Sequence, residues 1–242
     1  MRPSVSHAPF RVFIGYDRTE PVAYHVLSHS ILTRATMPVS ITPLYRDALA
    51  RTGFTRARGP LESTDFSISR FLVPHLSDYH GWSLFLDCDM LCTVDLAELI
   101  FEMLHQPDKA VLVCQHDYTP ATTTKFHGQT QTAYPRKNWS SCIAFNNARC
   151  AALTPDYVNT ATGLELHRFT WIQDEQIGTL PLEWNWLVGE YPSNNEAKIL
   201  HYTTGGPWFA HYALCDHADL WRAERNAMLS AKEGVPSESV TK

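Results

Sequence analysis

Short apolar runs alternate along the chain with stretches in which apolar residues recur at helical spacing. The runs have the length and the bulky composition of strands. They cover residues 10–15, 39–45, 82–86, 110–114, 140–145 and 197–201. The intervening patterns predict helices over residues 21–32, 67–76, 95–105, 149–158, 157–166, 173–180 and 218–232. Strands that alternate with helices in this way predict a layered α/β domain.

The apolar run at residues 82–90 ends abruptly in two carboxylates, Asp87 and Asp89. Charge at the carboxyl end of a buried parallel strand falls in the crevice where open α/β sheets bind ligands. Side chains at i and i+2 of an extended segment share a face, so the two carboxylates can converge on one hard divalent cation while Cys88 points into the core. The alternative is a pair of solvated turn residues. Asp95, with Glu98 three residues later, has the spacing of a capping box, and we expect a helix cap there rather than a third ligand.

Two loops have a composition that bears on function. Residues 118–137 are rich in Thr, Gln and Pro, and a long loop of this kind inside a compact domain is typical of an active-site lid or of a disordered excursion; we expect a lid. Residues 202–208, which contain Gly205 and Gly206 before a proline, predict a tight loop whose backbone amides can approach an anion. His201 comes just before this loop, where it is either a metal ligand or a strand-end histidine satisfied by its neighbours.

Length and charge limit the classes of protein that the chain can represent. With 242 residues, 44% of them hydrophobic, the chain can bury a large core, and we expect one domain over residues 10–222. Residues 223–242 are expected to hold the end of a helix and a disordered tail. A formal net charge of -5 argues against a nucleic-acid partner engaged by bulk electrostatics.

Cysteine usage and hydropathy predict a cytoplasmic location. The first ten residues contain no apolar segment of the kind found in secretory signals, and no later stretch has the length of a membrane span. The six cysteines form no Cys-x-x-Cys pair, and several lie inside apolar runs, where free thiols behave as small hydrophobes. These features are typical of a reducing compartment.

The order of several motifs between about residue 11 and residue 208 resembles glycosyltransferase family 8 and its relatives with the A-type nucleotide-sugar-binding fold. Residues 14–17 resemble the family's first strand end, where the base and ribose of a uridine nucleotide lie, and residues 66–71 resemble the helix whose basic residue faces the donor. Residues 86–90 resemble its metal-binding acidic motif, and residues 139–146 resemble its Asn-Ser-Gly strand. Residues 174–176 and 201–208 are similar to its Asp-Gln-Asp segment and to its closing motif from His to Pro-Trp.

The resemblance implies a single-domain A-type fold, with a mixed, mostly parallel central sheet flanked by helices, and a set of site residues. Asp87, Asp89 and His201 would hold Mn²⁺ or Mg²⁺, with the nitrogen ligand favouring Mn²⁺. Asp174 and Gln176 would lie nearest the reacting carbon, and Trp139 and Ser141 would face the donor sugar or the acceptor. The expected donor-binding residues are Gly15, Tyr16, Arg70, Cys88, Gly205, Gly206 and Trp208.

The chain departs from the family pattern at three places. Gly206 stands where the family usually has a Lys that meets the donor diphosphate, so Arg70 or the backbone amides of the glycine loop would have to neutralise that charge. We therefore expect Gly206→Lys to be tolerated if the loop lies at the diphosphate. Ser141 replaces the usual Asn, and residues 174–176 do not reproduce Asp-Gln-Asp, so the family's donor sugar and acceptor are not carried over.

The implied activity is metal-dependent transfer of a sugar, with retention, from a nucleotide-diphosphate donor to a hydroxyl acceptor. We expect a uridine donor and a glycan or lipid-linked acceptor, in the synthesis of a polysaccharide. One alternative is a nucleotide-sugar or carbohydrate binding protein that has lost catalysis. A second is a phosphohydrolase of the haloacid-dehalogenase type, in which the first carboxylate is the nucleophile. The second alternative is disfavoured because its Asp-x-Asp normally ends the first strand, whereas two predicted strands precede Asp87.

Overall fold

A computed structural model describes residues 8–60, 62–117, 124–125, 129–130 and 135–230 of the chain. Its strands are β1 Phe10–Gly15, β2 Val39–Leu44, β3 Trp82–Leu86, β4 Met90–Cys92, β5 Val111–Cys114, β6 Thr124–Lys125, β7 Gln129–Thr130, β8 Cys142–Asn146, β9 Ile177–Leu180, β10 Trp186–Leu187 and β11 Ile199–His201. Its α-helices are α1 Pro21–Arg34, α2 Arg46–Leu49, α3 Val73–Leu76, α4 Ala97–His105, α5 Pro155–Thr160, α6 Gly163–His167 and α7 Ala218–Leu229.

Six strands form a mixed sheet in the order β2-β1-β3-β8-β5-β9. β1 lies parallel to β2 and to β3, and β5 lies parallel to β9. β8 is antiparallel to both β3 and β5, between which it lies. β1, β3 and β5 therefore run in one direction, and their carboxyl ends share an edge of the sheet with the amino end of β8. The predicted α/β class, with a mixed and mostly parallel sheet, is confirmed.

The central strands are buried on both faces, which explains why they appear in the sequence as continuous apolar runs. Every residue of β5 is buried, and in β3 and β8 only Trp82 and Asn146 are partly exposed. α1 packs against β4 and α7, and α3 packs against β3 and β8. In α1 the buried positions follow helical spacing, and the helix begins at Pro21, a residue that suits a first turn. The core therefore lies between the six-stranded sheet and these helices.

A second, three-stranded sheet of order β10-β11-β4 lies beside the point where β3 ends. β4 begins one residue after Asp89 and pairs antiparallel with β11, so that His201 lies opposite Met90. The N–H of Tyr202 donates to the carbonyl oxygen of Asp89 at 2.9 Å. Residues more than a hundred positions apart are thus fixed next to each other by backbone pairing.

The predicted helix over residues 173–180 is wrong. A single 3-10 turn at Asp174–Gln176 leads directly into β9, the edge strand of the main sheet. Pairing with β5 overrides the local pattern, and Gly178 permits it, because a Cβ at this position would lie 2.3 Å from Cδ2 of Leu112. A glycine in a strand often marks such a close approach.

The other helices differ from the predictions mainly at their boundaries. The helix predicted over residues 67–76 begins as a 3-10 turn at Ser69–Leu72 and continues as α3. The two helices predicted over residues 149–158 and 157–166 are present as the shorter α5 and α6. α6 begins where Thr162 and Glu165 form a capping box.

The capping box predicted at Asp95 is not present. Asp95 accepts the N–H groups of Ala97 at 2.9 Å and of Thr36 at 3.0 Å, while the carboxylate of Glu98 pairs with Lys198 at 2.8 Å. Asp95 therefore supports the start of α4 by a different pattern of hydrogen bonds. Most of the lid predicted at residues 118–137, and the tail beyond residue 230, lie outside the described residues.

Candidate functional site

Asp87 and Asp89, the acidic pair, follow the carboxyl end of β3. The N–H of Asp87 donates to the carbonyl oxygen of Ser141 at 2.9 Å, which extends the β3–β8 ladder by one hydrogen bond. Asp89 is held by the hydrogen bond from Tyr202 that continues the β4–β11 pairing. His201, at the end of β11, is thereby brought to the acidic pair. One potential ligand atom from each of these three side chains lies within 4.8 Å of the other two.

Arg70 is the counter-charge of Asp87. Its Nη1 lies 2.7 Å from Oδ1 of Asp87 and donates to the carbonyl oxygen of Ser140 at 2.7 Å, and its Nε donates to that of Ser67 at 3.0 Å. The guanidinium lies over the ring of Phe85, with 4.8 Å between Cζ and the ring centroid. The planar fork of an arginine can satisfy several acceptors at once in this way. Arg70 thus holds one carboxylate of the acidic pair. That it faces a donor remains a prediction from the resemblance.

His201 is almost fully buried, and each of its ring nitrogens faces a partner. Nδ1 lies 2.9 Å from Oδ1 of Asn185, and Nε2 lies 3.4 Å from Oδ1 of Asp89. Two carboxylates and one imidazole form a donor set that suits Mn²⁺ or Mg²⁺, and the nitrogen favours Mn²⁺. A metal held by these three residues would keep its remaining positions for water or for oxygens of a ligand.

Glu20 is a buried acid that the sequence did not single out. It precedes α1, and its Oε2 accepts the indole N–H of Trp208 at 3.1 Å. Its Oε1 accepts the thiol of Cys88 at 3.5 Å. Burial raises the pKa of Glu20 well above its usual range, and the nearby charges of Asp89 and Asp17 add to this effect. Glu20 therefore ties the closing loop, residues 202–208, to the acidic motif, although a Glu before a Pro at a helix start is unremarkable in a sequence.

The closing loop is packed too tightly for a side chain at its second glycine. Gly205 has φ +141°, and a Cβ on it would meet the ring of Tyr212 at 2.6 Å. A Cβ on Gly206 would lie 2.0 Å from the ring of Trp208. The indole of Trp208 occupies the space that a lysine stem would need, which argues against the expectation that Gly206→Lys is tolerated. The N–H of Gly205 donates to the carbonyl oxygen of Tyr202 at 2.8 Å, so the amide of Gly206 is the better candidate in this loop to approach an anion.

The predicted base-binding turn lies at the same edge of the sheet, after β1. Gly15 lies directly against Phe66, whose ring a Cβ would meet at 2.3 Å. Tyr16 contacts the rings of Tyr24 and Tyr45 edge to face, with centroids 5.4 Å and 5.5 Å away. Tyr16 is only partly buried, so this aromatic cluster offers part of a ring at the edge of the sheet.

Hydrogen bonds to backbone carbonyls hold Ser141 and Trp139 in place, and Cys88 lies in the core. Ser141 donates to the carbonyl oxygen of Asn138 at 2.7 Å, and it is buried. Trp139 is partly exposed and donates its indole N–H to the carbonyl oxygen of His116 at 2.9 Å. Cys88 is fully buried, as its alternation with the acidic pair predicted. A donor contact by Cys88 remains a prediction from the resemblance.

His116, which the sequence did not single out, lies just after β5, at the same edge of the sheet as the acidic pair. Its Nδ1 lies 2.9 Å from the hydroxyl of Tyr191. Burial, with a smaller effect from the nearby His201, lowers the pKa of His116 to about 3. His116 is therefore a neutral imidazole at ordinary pH. The position after a buried strand was the only signal in the sequence that could have identified it.

Asp174 and Gln176 do not join this group of residues. The N–H of Ala110, just before β5, donates to the carbonyl oxygen of Gln176 at 2.8 Å, which places the segment at the amino end of β5, opposite the edge with the acidic pair. Asp174 pairs with Arg136 at 2.7 Å, and its side chain is 73% exposed. Oε1 of Gln176 accepts the N–H of Gln173 at 3.1 Å within its own turn. Catalytic roles for the two residues remain predictions from the resemblance.

Three solved structures to which this chain is similar are glycosyltransferases. The bifunctional glycosyltransferase WbbM matches with a TM-score of 0.63 at 17% identity over 93% of this chain and 50% of its own. The galactosyltransferase LgtC, in complex with donor and acceptor sugar analogs, matches with a TM-score of 0.59 at 10% identity over 93% and 98%. GlyE of Streptococcus pneumoniae matches with a TM-score of 0.58 at 14% identity over 90% and 60%. This chain thus spans half of WbbM and three-fifths of GlyE. It has the A-type glycosyltransferase fold, as the resemblance to family 8 implied.

A curated relative is much more similar in sequence than these structures, and it shows the family of the chain. Protein CDI of Arabidopsis thaliana is 50% identical over 225 residues, which make up 89% of this chain and 86% of that protein. The chain belongs to the family of Protein CDI. No family model matches it. Within the described ranges, no helix has both the length and the apolar character needed to cross a membrane.

Proposed function

We propose that the protein is a metal-dependent glycosyltransferase that uses a nucleotide-diphosphate sugar as its donor. The observation that carries the proposal is the convergence of Asp87, Asp89 and His201 within 4.8 Å, at the carboxyl end of a central strand of an A-type glycosyltransferase fold. Two of these side chains are buried, and the third is paired with a buried arginine. Burial of so much charge in one place is costly unless the charges have a partner.

A metal at this position would act as a Lewis acid that stabilises the negative charge of the departing diphosphate. Asp87, Asp89 and His201 would hold it. Arg70 fixes the carboxylate of Asp87 through a short ion pair and is itself fixed by two backbone carbonyls. Such rigid placement of charges before the donor arrives is how electrostatic stabilisation of a transition state is achieved.

The remaining contacts of the donor are proposed from their position at the same edge of the sheet. Tyr16 presents part of its ring for the base, which we propose to be uracil. The backbone amide of Gly206 would meet the diphosphate in place of a lysine, since the N–H of Gly205 already donates to the carbonyl oxygen of Tyr202 at 2.8 Å. Trp139 offers a partly exposed indole to a sugar. From the resemblance we further propose a glycan or a lipid-linked hydroxyl as the acceptor, retention of configuration, and a role in polysaccharide synthesis. From the cysteine usage and hydropathy we propose a cytoplasmic location.

A binding protein without turnover is the second candidate. It is favoured by the exposed carboxylate of Asp174, which is paired with Arg136 at the opposite end of β5 from the acidic pair. In this case the chain would bind a nucleotide sugar through the metal site and would lack the group near the reacting carbon that the resemblance implies. Turnover distinguishes the two candidates, whereas binding does not.

The test is nucleotide release from uridine, guanosine and adenosine diphosphate sugars, in the presence of Mn²⁺ or of a chelator. We expect Mn²⁺-dependent release of one nucleotide by the wild type and loss of that release in Asp89→Ala. Asp108→Ala is the matched control, because the side chain of Asp108 is 69% exposed and forms its ion pair with the neighbouring Lys109. It should release nucleotide at the wild-type rate.

The outcomes separate the candidates clearly. Metal-dependent calorimetric binding of a nucleotide sugar without release, tested with added oligosaccharide and lipid-linked acceptors, would support the binding protein. Equal release by Asp89→Ala and the wild type would refute the metal assignment. Absence of both binding and release would refute both candidates.

A further inference from the structure

Asn185 is a fully buried amide that connects His201 to the chain before β8. Its Oδ1 lies 2.9 Å from Nδ1 of His201. Its Nδ2 donates to Oγ of Ser141 at 2.8 Å and to the carbonyl oxygen of Asn138 at 3.2 Å. The hydroxyl of Ser141 itself donates to that carbonyl at 2.7 Å, so its oxygen is free to accept the hydrogen bond from the amide of Asn185.

These contacts fix the direction of the amide. A carbonyl oxygen only accepts, so the group of Asn185 that faces Asn138 must be the NH₂ group. The amide oxygen is then left to face His201, and an amide oxygen also only accepts. Nδ1 of His201 must therefore carry the hydrogen. In the neutral ring the lone pair is then on Nε2, the nitrogen that faces Asp89 at 3.4 Å.

We infer that Asn185 is a positioning residue that sets the tautomer and the ring orientation of His201 for metal binding. The inference rests on the proposed function, because it assigns a role at the proposed metal site. A histidine ligand commonly donates its other N–H to such a partner, and loss of the partner typically lowers metal affinity 10- to 100-fold. Ser141, the residue that replaces the family's Asn, has a part in the same chain of hydrogen bonds.

The test measures Mn²⁺ binding alone, by calorimetry and by the electron paramagnetic resonance of free Mn²⁺. Asn185→Leu should weaken Mn²⁺ binding about 10- to 100-fold. Asn185→Asp keeps an acceptor for Nδ1–H but loses the donor to the carbonyl oxygen of Asn138, so it should retain more of the affinity than Asn185→Leu. In a His201→Ala background, Asn185→Leu should cause no further loss. Urea unfolding of each variant shows whether the protein is folded. Should Asn185→Leu fail to fold, the smaller polar variant Asn185→Ser carries the same expectation.

A second readout is independent of the metal. Nitrogen-15 NMR of the histidine side chains in metal-free protein should show His201 as the Nδ1–H tautomer, and Asn185→Leu should change that pattern. Unchanged Mn²⁺ affinity in Asn185→Leu, or the Nε2–H tautomer in the wild type, would overturn the inference while leaving the proposed function intact. Failure of the wild type to bind Mn²⁺ would overturn both the metal site and the role of Asn185 at it.

Discussion

Removal of the guanidinium of Arg70 should be one of the most destabilising single changes in the chain. The substitution Arg70→Met keeps a long apolar side chain over the ring of Phe85, so packing is largely preserved. What it removes is the positive charge 2.7 Å from Asp87 and the donors to the carbonyl oxygens of Ser140 and Ser67. The experiment therefore isolates the electrostatic role of this residue.

The expected magnitude follows from burial. The side chain of Arg70 is 6% exposed and that of Asp87 is 15% exposed, so solvent screens the pair only weakly. Breaking a buried ion pair by removing one partner costs about 3–5 kcal/mol, because the other charge is left without compensation. Asp87→Asn alone leaves the arginine with its two carbonyl partners and should cost less. The double variant should be about 1–3 kcal/mol more stable than the sum of the single effects predicts.

Urea unfolding of the four proteins, in the presence of a chelator, measures these free energies. Mn²⁺ should reduce the cost of Arg70→Met, because the metal would supply a second positive charge beside Asp87. Arg70→Lys, which keeps the charge and loses the planar fork, should give an intermediate result. The reasoning would be refuted if the two single losses in free energy of unfolding summed to within about 0.5 kcal/mol of the loss in the double variant, because the two charges would then not be coupled.

Four further predictions concern pH, reactivity and packing. Because the pKa of Glu20 is raised, the free energy of unfolding of the metal-free protein should fall as pH rises above the usual pKa of a glutamate. Urea unfolding at several pH values should show a smaller fall in Glu20→Gln. Burial lowers the pKa of His167 to about 3, so stability should fall as pH drops below about 6.5, and the same assay should show a smaller fall in His167→Gln. Iodoacetamide should modify Cys215 alone in the native protein, and slowly, because the pKa of its thiol is raised to about 11. Modification of a second cysteine, detected by mass spectrometry, would contradict the burial of the other five. Gly206→Ala should lower the free energy of unfolding by about 1–3 kcal/mol, and an unchanged urea midpoint would show that the Trp208 ring moves freely.

The sequence predicted the main sheet well because its central strands are buried on both faces. The runs that became β1, β3, β5 and β8 are continuous and apolar, a pattern that few other structures produce. β9 was missed because four residues at a sheet edge, one of them a glycine, have too little periodicity to outweigh a polar start that resembles a helix cap. Its structure depends on β5, more than sixty positions away, and not on its neighbours.

The candidate site was predicted only where charge interrupts an apolar strand. Asp87 and Asp89 were conspicuous for this reason, and Arg70 and His201 followed from the order of the motifs. Asn185 and Glu20 gave no signal, because an Asn between two tryptophans and a Glu before a proline are ordinary residues until the fold buries them. Their function depends on partners that only tertiary structure brings near.

Because β11 pairs with β4, the residues of the proposed metal site are not all made at the same stage of synthesis. Every strand of the main sheet is complete by Leu180, but His201 reaches the acidic pair only after the chain has made residues 199–201 and added them to a separate small sheet. During synthesis the six strands are therefore all made before the proposed metal site can be complete. A chain that stops short of Ile199 would contain the six strands and both carboxylates but not the imidazole, so its folding and its metal binding could be measured separately.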